Sequence, residues 1–147
     1  KEIKGAYYHL LENEKVVDGM IREFGLNPET GHIINGHVPV HQGDGESPVK
    51  CNGKVIVIDG GFCKAYQKVT GIAGYTLIFN SHHLALAEHM PFCPGKKNTP
   101  KVTIVEKMKK RIMVGDTDLG KELEARIEDL KELVSAYRDG ILKEKLV

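Results

Sequence analysis

Seven histidines are spread along this chain, and histidine is the side chain that most often binds metal ions or moves protons near neutral pH. His37 and His41 have the spacing that places two rings on one helix face, but Pro39 lies between them and argues against a helix. In an extended chain, at about 3.3 Å per residue, the two rings lie roughly 13 Å apart, too far for one ion. The adjacent His82 and His83 would face opposite sides of a strand. No pair of neighbouring histidines therefore predicts a zinc site.

His37 differs from the other histidines in its setting. The run "HIIN" (residues 32–35) predicts a short apolar strand that ends just before it, Gly36 leaves space beside it, and a polar loop follows. A rigid sheet presents a metal ligand or a catalytic group at its edge in this way. The same pattern also fits an ordinary strand-end histidine that takes no part in chemistry, which is the more common case. From these residues alone both interpretations stay open.

A second candidate follows the run "KVIVID" (residues 54–59), which predicts a strand covered on both faces. Asp59 ends this run and is followed by Gly60 and Gly61. Binding residues often gather at strand ends in α/β folds, and paired glycines can bring backbone N–H groups close to a phosphate. The alternative, which we prefer, is a tight turn capped by its own aspartate. Cys63 has no histidine partner nearby in the sequence and is not predicted to be a nucleophile.

Regular elements are predicted on both sides of these candidates. Near the start, a helix is predicted from apolar residues that recur on one face and from a glycine stop signal: Leu10, Val17, Ile21 and Phe24, then Gly25. Short runs rich in β-branched residues predict strands at 32–34, 55–58, 75–79 and 84–89. Asn80 and Ser81 are expected to form the turn of a hairpin between the last two. Residues 101–114 alternate in polarity and predict one long strand or two short ones.

The last element predicted is a helix from Asp118 to Tyr137. Asp116 or Thr117 can cap its start, and Asp118 lies near the positive end of the helix dipole. Its apolar residues form a continuous stripe: Leu119, Leu123, Ile127, Leu130, Val134 and Tyr137. Left exposed, such a stripe would be a sticky patch, so we expect it to dock on another surface.

The bulk composition narrows the class of protein. At 147 residues the chain fits one domain, and its net charge of +1 does not predict nucleic acid or an anionic membrane as a partner. No apolar run is long enough to span a bilayer, and the start does not read as a signal peptide. The three cysteines, odd in number and widely spaced, suggest reduced thiols in a cytoplasmic protein.

Longer stretches carry a family resemblance. The segments "INGHVPV", "KVIVIDGGFCKAYQKVTGIAGYTLIFNS" and "DTDLGKELEARIEDLKELVSAYRDGI" resemble the C-terminal part of class III fructose-1,6-bisphosphatases, from about Tyr7 to Ile141. That family is similar to the calcineurin-like metallophosphoesterases. The resemblance implies an α+β fold in which the chain forms the C-terminal half of a β-sandwich with flanking helices. It also implies a gluconeogenic enzyme that hydrolyses fructose 1,6-bisphosphate to fructose 6-phosphate and phosphate.

The resemblance also implies a site. The family binds two metal ions, usually Mn²⁺, through motifs of the forms D-x-H, G-D-x-x-D-R-G and G-N-H-E, a lone histidine, and a final G-H. Only the last is present here, as Gly36-His37, so His37 is implied to be a metal ligand. Many relatives carry a second histidine two residues later, where this chain has Pro39. Candidate substrate-binding residues, chosen because their side chains suit phosphate oxygens or sugar hydroxyls, are Lys64, Tyr66, Gln67 and Arg111.

The missing motifs predict that residues 1–147 are a single-domain fragment, which alone neither binds two metal ions tightly nor hydrolyses phosphate esters. Its expected partners are the sugar bisphosphate, the N-terminal half of the same enzyme and further copies of itself, since a truncated sheet exposes edges that pair with other chains. The alternative is a non-catalytic regulatory or assembly module that retains the phosphatase scaffold. The two interpretations differ in whether carboxylate motifs lie upstream.

Overall fold

The computed structural model of the chain describes residues 5–143. The chain divides into two compact units, Lys1–Lys107 and Met108–Val147, and each is described by itself. Helices and small sheets alternate along the chain, so the expected α+β class is confirmed. No helix within residues 5–143 combines the length and the apolar character needed to cross a bilayer.

The first unit begins with two helices where the sequence predicted one. α1 spans Ala6–Leu10 and α2 spans Glu14–Glu23. The break arises because the Asn13 side chain accepts a hydrogen bond from the Val16 amide and caps α2. Because of this break, Leu11 is buried in place of Leu10, and Phe24 is 83% exposed. The prediction that Leu10 and Phe24 lie on one buried helix face was therefore wrong. Gly25, with a φ of 72°, ends the helix as expected.

A three-stranded sheet forms the centre of this unit. β1 (Ile33–Asn35) pairs in parallel with β3 (Val55–Val57), and β3 pairs in antiparallel fashion with β2 (Val49–Lys50), giving the order β1-β3-β2. Every residue of β3 is buried, as the apolar run predicted. Val17 and Ile21 of α2 pack with Val55 in the core. Burial of such aliphatic side chains supplies the main driving force for this packing.

A second sheet of three antiparallel strands follows, in the order β4 (Gly74–Phe79), β5 (His83–His89) and β6 (Lys101–Lys107). The predicted hairpin is confirmed, because the Asn80 side chain accepts hydrogen bonds from the amides of His82 and His83 in the turn. The alternating run 101–114 forms one strand that ends at Lys107. Along the chain, α3 (Lys64–Thr70) lies between β3 and β4, and the sequence analysis did not predict this short helix.

The second unit is dominated by α4, Asp118–Arg138, close to the predicted bounds. Thr117 caps it by accepting a hydrogen bond from the Gly120 amide, which confirms one of the two predicted caps. The apolar stripe is exposed along its whole length: Leu119, Leu123, Ile127, Leu130, Val134 and Tyr137. That this stripe docks on another surface stays a prediction.

The buried hydroxyl of Tyr75 on β4 leads to a specific prediction. It is buried and has no hydrogen-bond partner among the described residues, and the Tyr75 side chain is only 4% exposed. Burial, with the charges of Glu88 and Glu46 adding to it, raises the pKa of this phenol from 10.0 to about 12. The unfolded chain therefore loses this proton first, and folding stability falls as pH rises from 10 towards 12.

We expect Tyr75→Phe to raise the free energy of unfolding by about 1 kcal/mol near neutral pH, because it removes a buried hydroxyl that is unpaired. The variant should also lose part of the alkaline decline. Urea unfolding at several pH values measures both effects, and a strong destabilisation at neutral pH would show that the hydroxyl is paired after all.

Candidate functional site

A cleft of about 730 Å³ opens beyond the carboxyl ends of β1 and β3. Because these strands run parallel, the residues that follow them meet at one edge of the sheet. The pairing continues past β3, where the Ile58 amide donates to the Asn35 carbonyl at 2.8 Å. His37 and Asp59 thus line the same cleft although they lie far apart in the sequence. The two candidates that the sequence treated separately belong to one site.

His37 has a strained backbone. Its φ is 71°, in the left-handed region that few non-glycine residues adopt. The Val38 amide donates to the Gly36 carbonyl at 2.9 Å, so His37 is the central residue of a three-residue γ-turn. Turns of this kind with a positive central φ are rare and cost free energy. The strain holds an exposed imidazole at the cleft and favours a functional histidine over an ordinary strand-end residue.

Asp59 organises the second wall of the cleft. Its carbonyl accepts a hydrogen bond from the Val40 amide at 2.7 Å, which ties the loop after His37 to the end of β3. Its carboxylate oxygen Oδ1 accepts from the Gly61 amide, also at 2.7 Å. The preferred interpretation, a tight turn capped by its own aspartate, is therefore confirmed.

The two glycines after Asp59 are required by close packing. A Cβ on Gly60 would lie 2.8 Å from the Gly74 Cα and 2.7 Å from a methyl group of Ile72. Gly61 has a φ of 76°, and a Cβ there would lie 2.7 Å from the Cβ of Tyr66. This turn can therefore approach β4 and α3 only because both side chains are absent.

The N-terminal helix completes the cleft. The Tyr7 hydroxyl donates to Asn35 Oδ1 at 3.1 Å, which ties α1 to the end of β1, and Tyr8 of the same helix lines the cleft. Cys63 also lines it, at the residue before α3. Sequence reasoning found no histidine near Cys63 and missed that it shares a cleft with His37. No local pattern signals this proximity, because it depends on the parallel pairing of the two preceding strands.

The predicted substrate-binding residues divide into three groups. Tyr66 lines the cleft with His37. The Gln67 side-chain nitrogen Nε2 donates to the Phe62 carbonyl at 3.0 Å, and Lys64 is exposed at the first position of α3 without lining the cleft. Arg111 belongs to the second unit. The structure thus brings one of the four to His37, and the substrate roles of all four stay predictions.

The described residues do not supply a complete metal centre. Within residues 5–143, no group of three or more His, Cys, Asp or Glu side chains is placed to hold a metal ion. The cleft offers one imidazole, from His37, one thiol, from Cys63, and one carboxylate, from Asp59, which already caps its own turn. Two divalent ions need a larger set of oxygen and nitrogen ligands than this. A dinuclear centre therefore does not fit these residues alone.

The glycines of the site allow a paired test of its construction. No atom lies within 4 Å of a Cβ placed on Gly36, so Gly36→Ala should change the free energy of unfolding by no more than about 0.5 kcal/mol. Gly60→Ala forces a methyl group against the Gly74 backbone and should cost about 2 kcal/mol or more. Urea unfolding of both variants gives the comparison. Equal effects would contradict the packing described for the Asp59 turn.

Comparison with known proteins identifies the family to which the chain is similar. The family described as Firmicute fructose-1,6-bisphosphatase matches residues 1–139. The fructose-1,6-bisphosphatase class 3 of Fusobacterium nucleatum is 53% identical over 97% of this chain, and that of Finegoldia magna is 53% identical over 98%. The class 3 protein of Clostridium botulinum is 54% identical over 97% of the chain.

The matches also show how much of each relative the chain covers. In each of these three relatives the chain spans 23% of the relative's length. No solved structure matches the chain. The match over residues 1–139 and the identity above 50% lead to one conclusion: the chain belongs to the Firmicute fructose-1,6-bisphosphatase family.

Proposed function

We propose that this chain is the C-terminal part of a longer enzyme that hydrolyses fructose 1,6-bisphosphate to fructose 6-phosphate and phosphate in gluconeogenesis. Its relatives are named for that bisphosphatase, and they are more than 50% identical to nearly the whole chain. The structural observation that carries the proposal is His37, an exposed imidazole held in a strained turn at the cleft where β1 and β3 end. A scaffold without catalytic function would have no need to keep this strain.

Within the longer enzyme, we assign His37 as a ligand to one ion of a dinuclear Mn²⁺ centre in a calcineurin-like β-sandwich. Neutral imidazole suits such ions among carboxylate ligands. The His37 side chain is exposed, so an ion could reach the ring. The remaining ligands would come from outside residues 5–143, since the metal-ligating side chains that line the cleft besides His37 are Asp59 and Cys63 alone.

Tyr66 is the best placed of the proposed substrate-binding residues because its ring lines the cleft and its backbone is fixed against Gly61. A tyrosine hydroxyl can hydrogen-bond a sugar hydroxyl or a phosphate oxygen. Lys64, Gln67 and Arg111 remain candidates for contacts with the second phosphate or with the sugar hydroxyls. The three free cysteines, Cys51, Cys63 and Cys93, support a reducing compartment such as the cytoplasm.

The test uses the longer protein that contains this chain. We expect it to release one phosphate per fructose 1,6-bisphosphate when Mn²⁺ is supplied, and to lose this activity on chelation. The non-catalytic assembly module is the rival function, and no phosphate release under any metal would favour it. Release of phosphate from many unrelated monoesters at equal rates would contradict the assigned substrate while leaving the hydrolase chemistry intact.

A further inference from the structure

One face of α4 is apolar, exposed and regularly spaced. Its residues follow one another at separations of four, three, four and three: Leu123, Ile127, Leu130, Val134 and Tyr137. Each is between 45% and 52% exposed. Alternating separations of three and four residues are the heptad repeat with which two helices pack against each other. We propose that this face, the α4 seam, pairs with the α4 seam of a second copy of the chain in antiparallel orientation.

A second copy fits this face because the seam can be complementary to itself. In a twofold dimer the same patch is used on both copies, so one helix must supply both sides of the interface. With the two helices overlapping fully, Leu123 meets Val134 of the second copy and Ile127 meets Leu130 of the second copy. Each contact occurs twice, which gives four apolar layers. A contiguous exposed apolar patch on a protein usually marks an interaction site.

The charged residues beside the seam favour one orientation of the two helices over the other. In a parallel, in-register pair, Arg126 would face Lys131 of the second copy at two places, and these like charges repel. In the antiparallel pair with full overlap, Glu124 faces Lys131 of the second copy at two places, and both contacts attract. Arg126 then lies beside Leu133 of the second copy, where the aliphatic part of its side chain can pack. Charge complementarity thus favours the antiparallel arrangement.

Within a single chain, Lys131 takes part in an ion pair that contributes little stability. Lys131 Nζ lies 2.7 Å from Glu128 Oε1, and both side chains are about two-thirds exposed, with values of 66% and 67%. An exposed pair of this kind contributes little, so exchanging it for Glu124 of the second copy costs little. The Lys131–Glu128 pair therefore does not oppose the proposed contact.

The first experiment is sedimentation equilibrium on the longer protein that contains this chain, over a range of micromolar concentrations. We expect a monomer–dimer equilibrium, and Leu130→Glu should abolish the dimer because it places a charge in the centre of the seam. Ala125→Glu adds the same charge on the exposed opposite face and should leave the dimer unchanged. A monomer at every concentration, or a dimer that Leu130→Glu leaves intact, would overturn the proposal.

A charge exchange tests the orientation with surface substitutions only. Lys131→Glu should raise the dimer dissociation constant about tenfold, since it places Glu124 opposite a second glutamate at two sites. The double variant Glu124→Lys with Lys131→Glu restores opposite charges and should bring the constant back. A parallel dimer predicts the reverse for Lys131→Glu, because the new glutamate would face Arg126 and tighten binding. Tightening, or failure of the double variant to recover, would reject the antiparallel pair.

Discussion

Replacing His37 by alanine in the longer enzyme is expected to lower turnover of fructose 1,6-bisphosphate by about 100-fold or more. The reason is that removal of a direct metal ligand should cost at least as much as loss of a group that supports a ligand, which already costs about 10- to 100-fold. Steady-state kinetics over a range of Mn²⁺ concentrations measures the loss, and the metal concentration needed for half-maximal activity should rise with it.

The matched control is His41→Ala. His41 follows the cleft residues in the chain and does not itself line the cleft. Its ring lies 3.8 Å from the Asp44 carboxylate. This variant should retain nearly full activity. His37→Ala should leave the fold intact, because the ring is exposed and makes no packing contact in the core. Equal activities for the two variants would remove His37 from the site, whereas a loss of folding in His37→Ala would assign it a structural role.

The second large effect concerns the strand that positions the site. Ile56 lies in the middle of β3, between β1 and β2, and its side chain is 0% exposed. We expect Ile56→Ala to lower the free energy of unfolding by about 3–4 kcal/mol, from lost burial and from the cavity left in a packed interior. For a domain of marginal stability this is a large fraction of the total.

Ile34→Ala provides the comparison, because Ile34 lies opposite Ile56 on the edge strand β1 and is 47% exposed. The loss there should stay below about 1 kcal/mol. Urea unfolding followed by circular dichroism measures both variants. If Ile34→Ala proves as costly as Ile56→Ala, the exposed face of β1 must be covered in solution by another surface.

Local chemistry determined several features that the sequence alone predicted correctly. The run "KVIVID" predicted the buried strand β3, Asn80 predicted the turn of the hairpin, and Thr117 predicted the start of α4. These features depend on neighbours in the chain, through alternation, turn chemistry and capping. The single N-terminal helix was wrong because the capping hydrogen bond of Asn13 outweighed the apolar spacing. The short helix α3 was missed because seven residues carry too little periodicity.

The assembly of the site was decided by tertiary structure. The sequence singled out His37 and the Asp59 turn, but only the parallel pairing of β1 with β3 brings both to one cleft with Cys63 and Tyr66. The strained γ-turn at His37 depends likewise on the frame around it, since no isolated histidine prefers a φ of 71°. Sequence patterns report the short-range preferences of the chain. Parallel pairing joins segments about twenty residues apart, and its register follows from packing that no local pattern encodes.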